Sequence, residues 1–193
     1  MKSPRLRPYI FFIALLAFGL FGAYLVSIGY YPVAFAGGQF ITARQFHDTY
    51  GAASIYSETY LETYYPTSTP EDLDDKASLL QAAVLDQLIE EAIVSQELHK
   101  EVGSDFDVLV SEKVNKFDSS DNLRSAADQL FGLSYDDFKD RVLVPQAERE
   151  VMEGRLFLKG QTFDPWLSSV KKSKRVLIFS SRFGWDGNKV KVQ

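Results

Sequence analysis

The longest uncharged run of the chain, residues 9–31, constrains the fold more than any other feature. Its 23 residues, YIFFIALLAFGLFGAYLVSIGYY, contain no charged side chain. As an α-helix they would be about 34 Å long at ~1.5 Å per residue, which is enough to cross a bilayer core of ~30 Å. The sequence therefore predicts a single transmembrane helix over residues 9–31.

The charges before this run predict its orientation. Lys2, Arg5 and Arg7 precede it, and basic flanks usually stay in the cytoplasm. The prediction is a single-pass protein of a bacterial cytoplasmic membrane, with residues 1–8 inside and the remaining domain on the extracytoplasmic side. A cleaved signal peptide is the alternative, because Ala34-Phe35-Ala36 is an A-x-A site, although the run exceeds the usual ~7–15 apolar residues.

The composition of the rest of the chain limits its partners and its chemistry. The 157 residues after position 36 carry 18 basic and 26 acidic side chains, a net charge of −8. An acidic surface is repelled by phosphates, so we expect no nucleic-acid partner. The chain has no Cys, which excludes disulfides, thiol nucleophiles and cysteine zinc sites.

Capping residues and apolar periodicity predict a mainly helical domain. Thr42, Thr69 and Ser134 are placed as N-caps, and Pro145 is expected to bend the helix that contains it. A strand over 33–41 turns at Gly37-Gly38, a buried strand covers 176–179, and residues 183–193 form a hairpin or tail. Helices are predicted over residues 43–64, 70–102, 105–117, 121–131, 135–160 and 164–174.

An aromatic stripe follows one face of the helix predicted over 43–64. Its large side chains recur at intervals that place them on one side of a helix. They either pack into the core or line an apolar groove that accepts extended chains, a use to which Tyr is suited. We take Phe46, Tyr50, Tyr56, Tyr60 and Tyr64 as the candidate client-binding residues.

Catalytic and metal-binding motifs are scarce. His47 and His99 have no His, Asp or Glu partner at metal-site spacing, so no metal or cofactor is expected. The adjacent acids Asp74/Asp75, Glu90/Glu91 and Asp136/Asp137 point about 100° apart on a helix. We therefore interpret these pairs as solvated faces or cap charges.

One enzymatic motif has to be weighed. Ser168-Ser169-Val170-Lys171 matches S-x-x-K, a serine–lysine acylation motif. Its companion motifs S-D-N and K-T-G are absent. The lysine also lies near the end of a short helix, where basic residues are expected. An exported serine–lysine hydrolase is therefore the weakest of the functions considered.

Several segments occur in an order that is typical of one family. They are residues 33–46 after the apolar run, residues 84–94, and Gly132-Leu133-Ser134-Tyr135-Asp136-Asp137-Phe138 before a long helix with Val144-Pro145. Over residues 33–180 or so, the chain resembles the N-terminal chaperone domain of the SurA, PrsA and PpiD group of extracytoplasmic foldases. The resemblance implies that the strand over 176–179 pairs with the strand over 33–41.

The chain departs from that family at one place. A parvulin prolyl-isomerase domain commonly follows the long helix, but here only a few residues around Gln161 and Thr162 separate it from the closing Trp-Leu helix. We therefore expect a non-enzymatic, membrane-tethered, ATP-independent chaperone-like protein that binds unfolded or newly exported polypeptides through a helical lobe over 33–182. The alternative is a non-catalytic scaffold for one membrane or envelope partner.

Overall fold

The computed structural model describes residues 7–64, 73–117 and 122–193, with side chains described over 11–59, 76–117 and 123–193. These residues are mostly helical, with a three-stranded and a two-stranded antiparallel sheet. The elements are α1 Arg7–Ser27, β1 Pro32–Ala36, β2 Gln39–Thr42, α2 Ala43–Tyr64, α3 Leu73–Val102, α4 Phe106–Phe117, α5 Asn122–Phe131, α6 Tyr135–Phe138, a π-helical turn Lys139–Leu143, α7 Val144–Leu158, α8 Phe163–Ser173, β3 Leu177–Ile178, β4 Phe183–Trp185 and β5 Val190–Val192.

The predicted membrane helix over residues 9–31 is wrong. Helix α1 ends at Ser27, before Gly29, whose φ of 77° breaks the helix. Within the described ranges, no helix has both the length and the apolarity that crossing a bilayer requires.

Three further predictions depended on that helix and are withdrawn with it. They are the single-pass location in a bacterial cytoplasmic membrane, the extracytoplasmic side for the domain, and the membrane as a partner. The predicted fold class, a transmembrane helix followed by a helical lobe, is corrected to a mostly helical chain with two small sheets.

The first two strands form a tight hairpin, as the small residues predicted. Gly37 and Gly38 both have positive φ, 57° and 78°, the conformation of a type I′ turn. A Cβ on Gly37 would collide with the backbone carbonyl of Ala92 on α3. Ala34 and Ala36 are completely buried, so the small residues of this segment are required by packing.

The predicted pairing of the N-terminal and C-terminal strands is confirmed. β1 is the middle strand of the order β2-β1-β3, and Ala34 lies opposite Ile178 in an antiparallel register. The N–H of Phe179 donates to the carbonyl of Val33 at 2.8 Å. The strand is shorter and less buried than expected, since Leu177 is 37% exposed.

Helix α2 has the predicted bounds and the predicted cap. The backbone N–H of Gln45 donates to Thr42 Oγ1 at 3.2 Å, which satisfies one of the free donors of the first turn. Thr69 and Pro70, the predicted start of the next helix, lie outside the described residues.

Helix α3 is the centre of the hydrophobic core. It packs against α2, α7, α8, β1 and β5. Each fully buried Leu or Ile contributes roughly 1.5–3 kcal/mol of burial free energy, so this helix accounts for a large part of the core. Its largest fully buried side chains are Leu85, Ile89, Ile93 and Leu98.

The C-terminal hairpin of β4 and β5 lies against α3. The N–H of Val190 donates to Asp86 Oδ1 at 3.1 Å, and Phe183 is buried in the core. The turn is closed by Asp186, whose carboxylate accepts from the N–H groups of Asn188 and Lys189. The hairpin thus forms the wall of the core beside the candidate site.

Candidate functional site: a cleft between α3 and α7

A cleft lies where α3, the π-helical turn, α7 and α8 meet. Its volume is about 460 Å³, within the range of ligand sites in proteins. Apolar and charged side chains both line it. The apolar lining residues are Val94, Phe131, Val142, Leu143, Pro145, Phe163 and Leu167, and the polar ones are Gln87, Glu90, Glu91, Arg141, Gln146, Glu148 and Arg149.

Pro145 explains the shape of one side of the cleft. The sequence predicted one bent helix over 135–160, but the structure divides it into α6, the π-helical turn Lys139–Leu143 and α7. Proline has no N–H and its ring collides with the carbonyl four residues earlier, that of Arg141. The wider π turn avoids this collision and places Val142 and Leu143 in the cleft wall.

Capping fixes the start of this divided helix. Ser134 Oγ accepts a hydrogen bond from the N–H of Asp137 at 3.1 Å, which confirms the predicted N-cap. Phe138 is buried in the first turn and lies 5.3 Å from the ring of Phe131, which lines the cleft. The cap therefore fixes the position of an aromatic pair at the edge of the cleft.

Glu91 is a half-buried carboxyl at the cleft. Burial raises its pKa to about 7, and the negative charges of Glu148 and Glu90 act in the same direction. The hydrogen bond from Gln87 Nε2 to Glu91 Oε1, 2.8 Å long, opposes the rise only in part. Glu91 therefore changes charge near neutral pH.

Glu148 is the second cleft carboxyl. It comes from α7, is only 8% exposed, and burial raises its pKa. A hydrogen bond from the Ser95 side chain partly compensates. Two helices thus bring two poorly solvated carboxyl groups to one cleft.

The sequence interpretation of Glu90/Glu91 as a solvated pair was wrong, and Glu148 was missed. The signal was periodicity: Glu91 follows Leu88 by three positions and Val84 by seven, on the face that is buried in α3. Glu148 similarly has Met152, a buried residue, four positions later. An acid in register with apolar residues is the pattern that would have found both.

The aromatic stripe is divided by the structure. Phe46 and Tyr50 stack with ring centroids 6.4 Å apart and pack, partly buried, against the core. Tyr56 is 45% exposed and stacks on Phe131 at 5.3 Å with the rings 10° from parallel. Because Phe131 also lines the cleft, the exposed part of the stripe continues into it. The side chains of Tyr60 and Tyr64 lie outside the described residues.

The residues of the S-x-x-K motif are each engaged with other groups. Lys171 Nζ lies 2.6 Å from Glu90 Oε1 and 3.7 Å from Asp86 Oδ1, and the side chain is 3% exposed. Lys171 is thus held by two carboxylates of α3. Ser168 Oγ lies 3.3 Å from Asn188 Oδ1 and donates to it.

The histidines lie in aromatic surroundings. The ring of His47 lies 5.7 Å from that of Phe46, and the ring of His99 lies 5.0 Å from that of Phe106. Among the described side chains, no group of three or more His, Cys, Asp or Glu is placed to hold a metal ion.

Comparison of the chain with protein-family models, with curated proteins and with solved structures gave no match. The resemblance to the SurA, PrsA and PpiD group therefore stays a prediction from sequence. The function has to be argued from the cleft itself.

Proposed function

We propose that this protein binds extended or unfolded polypeptide segments in the cleft between α3 and α7, without ATP and without catalysing a reaction. The observation that carries the proposal is the composition of the cleft: an open space of about 460 Å³ in which apolar walls adjoin a few polar groups. Such a lining accepts apolar side chains while the polar groups orient the ligand backbone or its charged groups.

The aromatic surface next to the cleft supports an extended ligand. Tyr56 and Phe131 form a stacked pair that reaches from half-exposed surface to the cleft lining. Aromatic side chains offer a large contact area and lose little rotamer freedom on binding. A segment longer than the cleft would therefore continue across Tyr56, and the proposed client-binding stripe extends in this direction.

Two observations support the proposal of binding without catalysis and without ATP. No phosphate-binding glycine loop occurs in the sequence. The one serine–lysine motif does not form a dyad, because Lys171 is paired with Glu90 and Ser168 with Asn188. A role in holding polypeptides needs neither a nucleophile nor a nucleotide.

Suppression of aggregation tests this function. We expect the full chain, at near-stoichiometric amounts and without ATP, to suppress the aggregation of several unrelated denatured proteins, as measured by light scattering. Val142→Glu places a charge in the apolar wall and should abolish most of the effect. Val108→Glu makes the same change on α4 at a side chain that is 56% exposed and outside the cleft lining, and it should leave suppression unchanged.

Two results would overturn the proposal. One is a wild-type protein that suppresses no client. The other is equal loss of suppression in both variants while circular dichroism shows both folded. Binding of one folded partner, together with no effect on unfolded clients, would instead favour the scaffold alternative.

A further inference from the structure

The arrangement of charge in the cleft points to the class of segment that it binds. We infer that the cleft receives a basic side chain, lysine or arginine, flanked in the ligand by apolar residues, with Glu91 and Glu148 as its acceptors. The inference rests on the proposed function and names the ligand chemistry of the same site.

Neither acceptor has a cationic partner among the described side chains. The hydrogen-bond donors are neutral groups, the Gln87 amide for Glu91 and the Ser95 hydroxyl for Glu148. No positive side chain is among the groups that act on either carboxyl. Buried carboxylates are normally paired with a cation, so this pair is incomplete when both are ionised.

The basic side chains near the cleft are committed to other acids. On the π turn, Arg141 Nη2 lies 2.8 Å from Asp48 Oδ2 of α2. On α7, Arg149 Nε lies 3.0 Å from Glu153 Oε1 of the same helix.

The remaining charged groups at the cleft lie on the α8 side and also have ionic partners. Lys171 of α8 lies 2.6 Å from Glu90 of α3. Asp164, at the start of α8, lies 3.9 Å from Arg149 and is 90% exposed at its side chain. A positive charge that neutralises Glu91 and Glu148 therefore has to come from a ligand.

The lining favours a basic side chain over a metal ion. The described side chains contain no group of three metal ligands, so a bare cation would lack a coordination shell here. Leu143, Pro145 and Leu167 instead offer apolar surface beside the carboxyls. A lysine or arginine uses both features, because its methylene stem packs on apolar surface while its charged end is hydrogen-bonded.

This arrangement makes recognition depend on pH. Glu91 is largely protonated below its pKa of about 7 and ionised above it. The preference for a basic side chain should therefore be strong at pH 8 and weak at pH 5.5. The other charged groups at the cleft each have an ionic partner: Lys171 pairs with Glu90, Arg141 with Asp48, and Arg149 with Glu153 and Asp164. Glu91 and Glu148 are thus the groups that a ligand neutralises.

The test compares two fluorescent nonapeptides that differ at one position. One has lysine at the centre of apolar residues, and the other has norleucine, which keeps the stem and lacks the charge. By fluorescence anisotropy at pH 8, we expect the full chain to bind the lysine peptide at least about tenfold more tightly, as a charge-assisted hydrogen bond predicts. At pH 5.5 the ratio should fall to about twofold or less.

Glu91→Gln should reduce the lysine preference at pH 8 to about twofold, and Glu148→Gln should reduce it as well. Glu112→Gln, an exposed position on α4 outside the cleft lining, is the matched control and should keep the full preference. Equal binding of the two peptides by the wild type would overturn this inference and leave the proposed function intact. Binding of neither peptide would overturn both.

Discussion

Glu90 and Glu91 are neighbours in the chain and lie in opposite electrostatic surroundings. Lys171 Nζ is 2.6 Å from Glu90, whereas Glu91 receives only a neutral hydrogen bond from Gln87. Both line the cleft, but the rotation of about 100° between consecutive helical residues turns Glu90 towards Lys171 of α8 and Glu91 towards Glu148 of α7. Helix α3 thus contributes to two clusters. The neutralised cluster is Glu90, Asp86 and Lys171, and the unneutralised cluster is Glu91 and Glu148.

The neutralised cluster is structural. Lys171 is almost fully buried among Glu90, Asp86 and the ring of Trp185, whose centroid is 5.4 Å away. Asp86 also accepts the N–H of Val190, so the cluster joins α3, α8 and the hairpin. Glu91 and Glu148 differ from this cluster in having no such cation. The acids of the neutralised cluster therefore hold elements of the fold together, whereas Glu91 and Glu148 are the acids that we propose for a ligand.

Removing Lys171, the cation of the neutralised cluster, should have the largest effect on stability. Lys171→Met leaves the partly buried Glu90 and Asp86 without the ammonium group that they share, and breaking a buried ion pair costs about 3–5 kcal/mol. We expect a loss of at least about 3 kcal/mol in the free energy of unfolding, measured by urea denaturation. The fluorescence of Trp185 should change as well.

Lys172→Met is the matched control for that prediction. Lys172 is exposed on the same helix, so the substitution should change stability by no more than about 0.5 kcal/mol. A loss below about 1 kcal/mol for Lys171→Met would show that the two clusters do not differ as described.

A substitution in the unneutralised cluster should raise stability instead of lowering it, and the size of this effect should depend on pH. The pKa of Glu91 is about 7 in the folded protein against 4.5 in the unfolded chain, so the folded state binds more protons between these values. The contribution of Glu91 to stability therefore falls as pH rises from about 4.5 to about 7. Glu91→Gln removes this penalty and should stabilise the protein at pH 8 by about 2 kcal/mol, and by much less at pH 5.

Thermal unfolding followed by circular dichroism at the two pH values measures this difference. An increase of roughly 4–8 °C at pH 8 corresponds to the expected free energy for a chain of this length. Glu112→Gln should show no such pH-dependent change. An equal shift at both pH values, or destabilisation at pH 8, would refute the description of Glu91.

The smallest effect on stability is expected at Ser168, beside the neutralised cluster. Its hydroxyl makes one long hydrogen bond, 3.3 Å, to Asn188, and a typical bond of this kind contributes about 1 kcal/mol or less. Ser168→Ala should therefore lower the free energy of unfolding by less than about 1 kcal/mol in urea titrations. Loss of labelling by a serine-directed acylating probe in this variant would instead support the hydrolase hypothesis.

Local signals were sufficient for much of the fold. The bounds of α2 followed from the Thr42 cap and the aromatic period, and the cap at Ser134 was found where the sequence placed it. Both depend on contacts within one helical turn, which a sequence pattern records directly. The pairing of β3 with β1 is non-local, and it was predicted from the family resemblance.

The site was less predictable than the fold. The aromatic stripe was recognised, but Phe46 and Tyr50 pack against the core, and only Tyr56 among its described members is exposed and leads to the cleft. The apolar run before the domain predicted a span that α1, ending at Ser27, does not provide. Periodicity and hydropathy describe one segment at a time, so neither reports what a helix meets in three dimensions.

By itself, the sequence determined the helical character of the chain, the caps of α2 and α6, and the tight turn at Gly37-Gly38, because each depends on neighbouring residues. Only the tertiary structure decided which acids are neutralised. Lys171 reaches Glu90 across 81 positions of the chain, while α7 brings Glu148 beside Glu91 and its own cleft cation, Arg149, is paired with Glu153. Burial and pairing depend on surfaces that meet only in the folded chain, and they separate a structural acid from one available to a ligand.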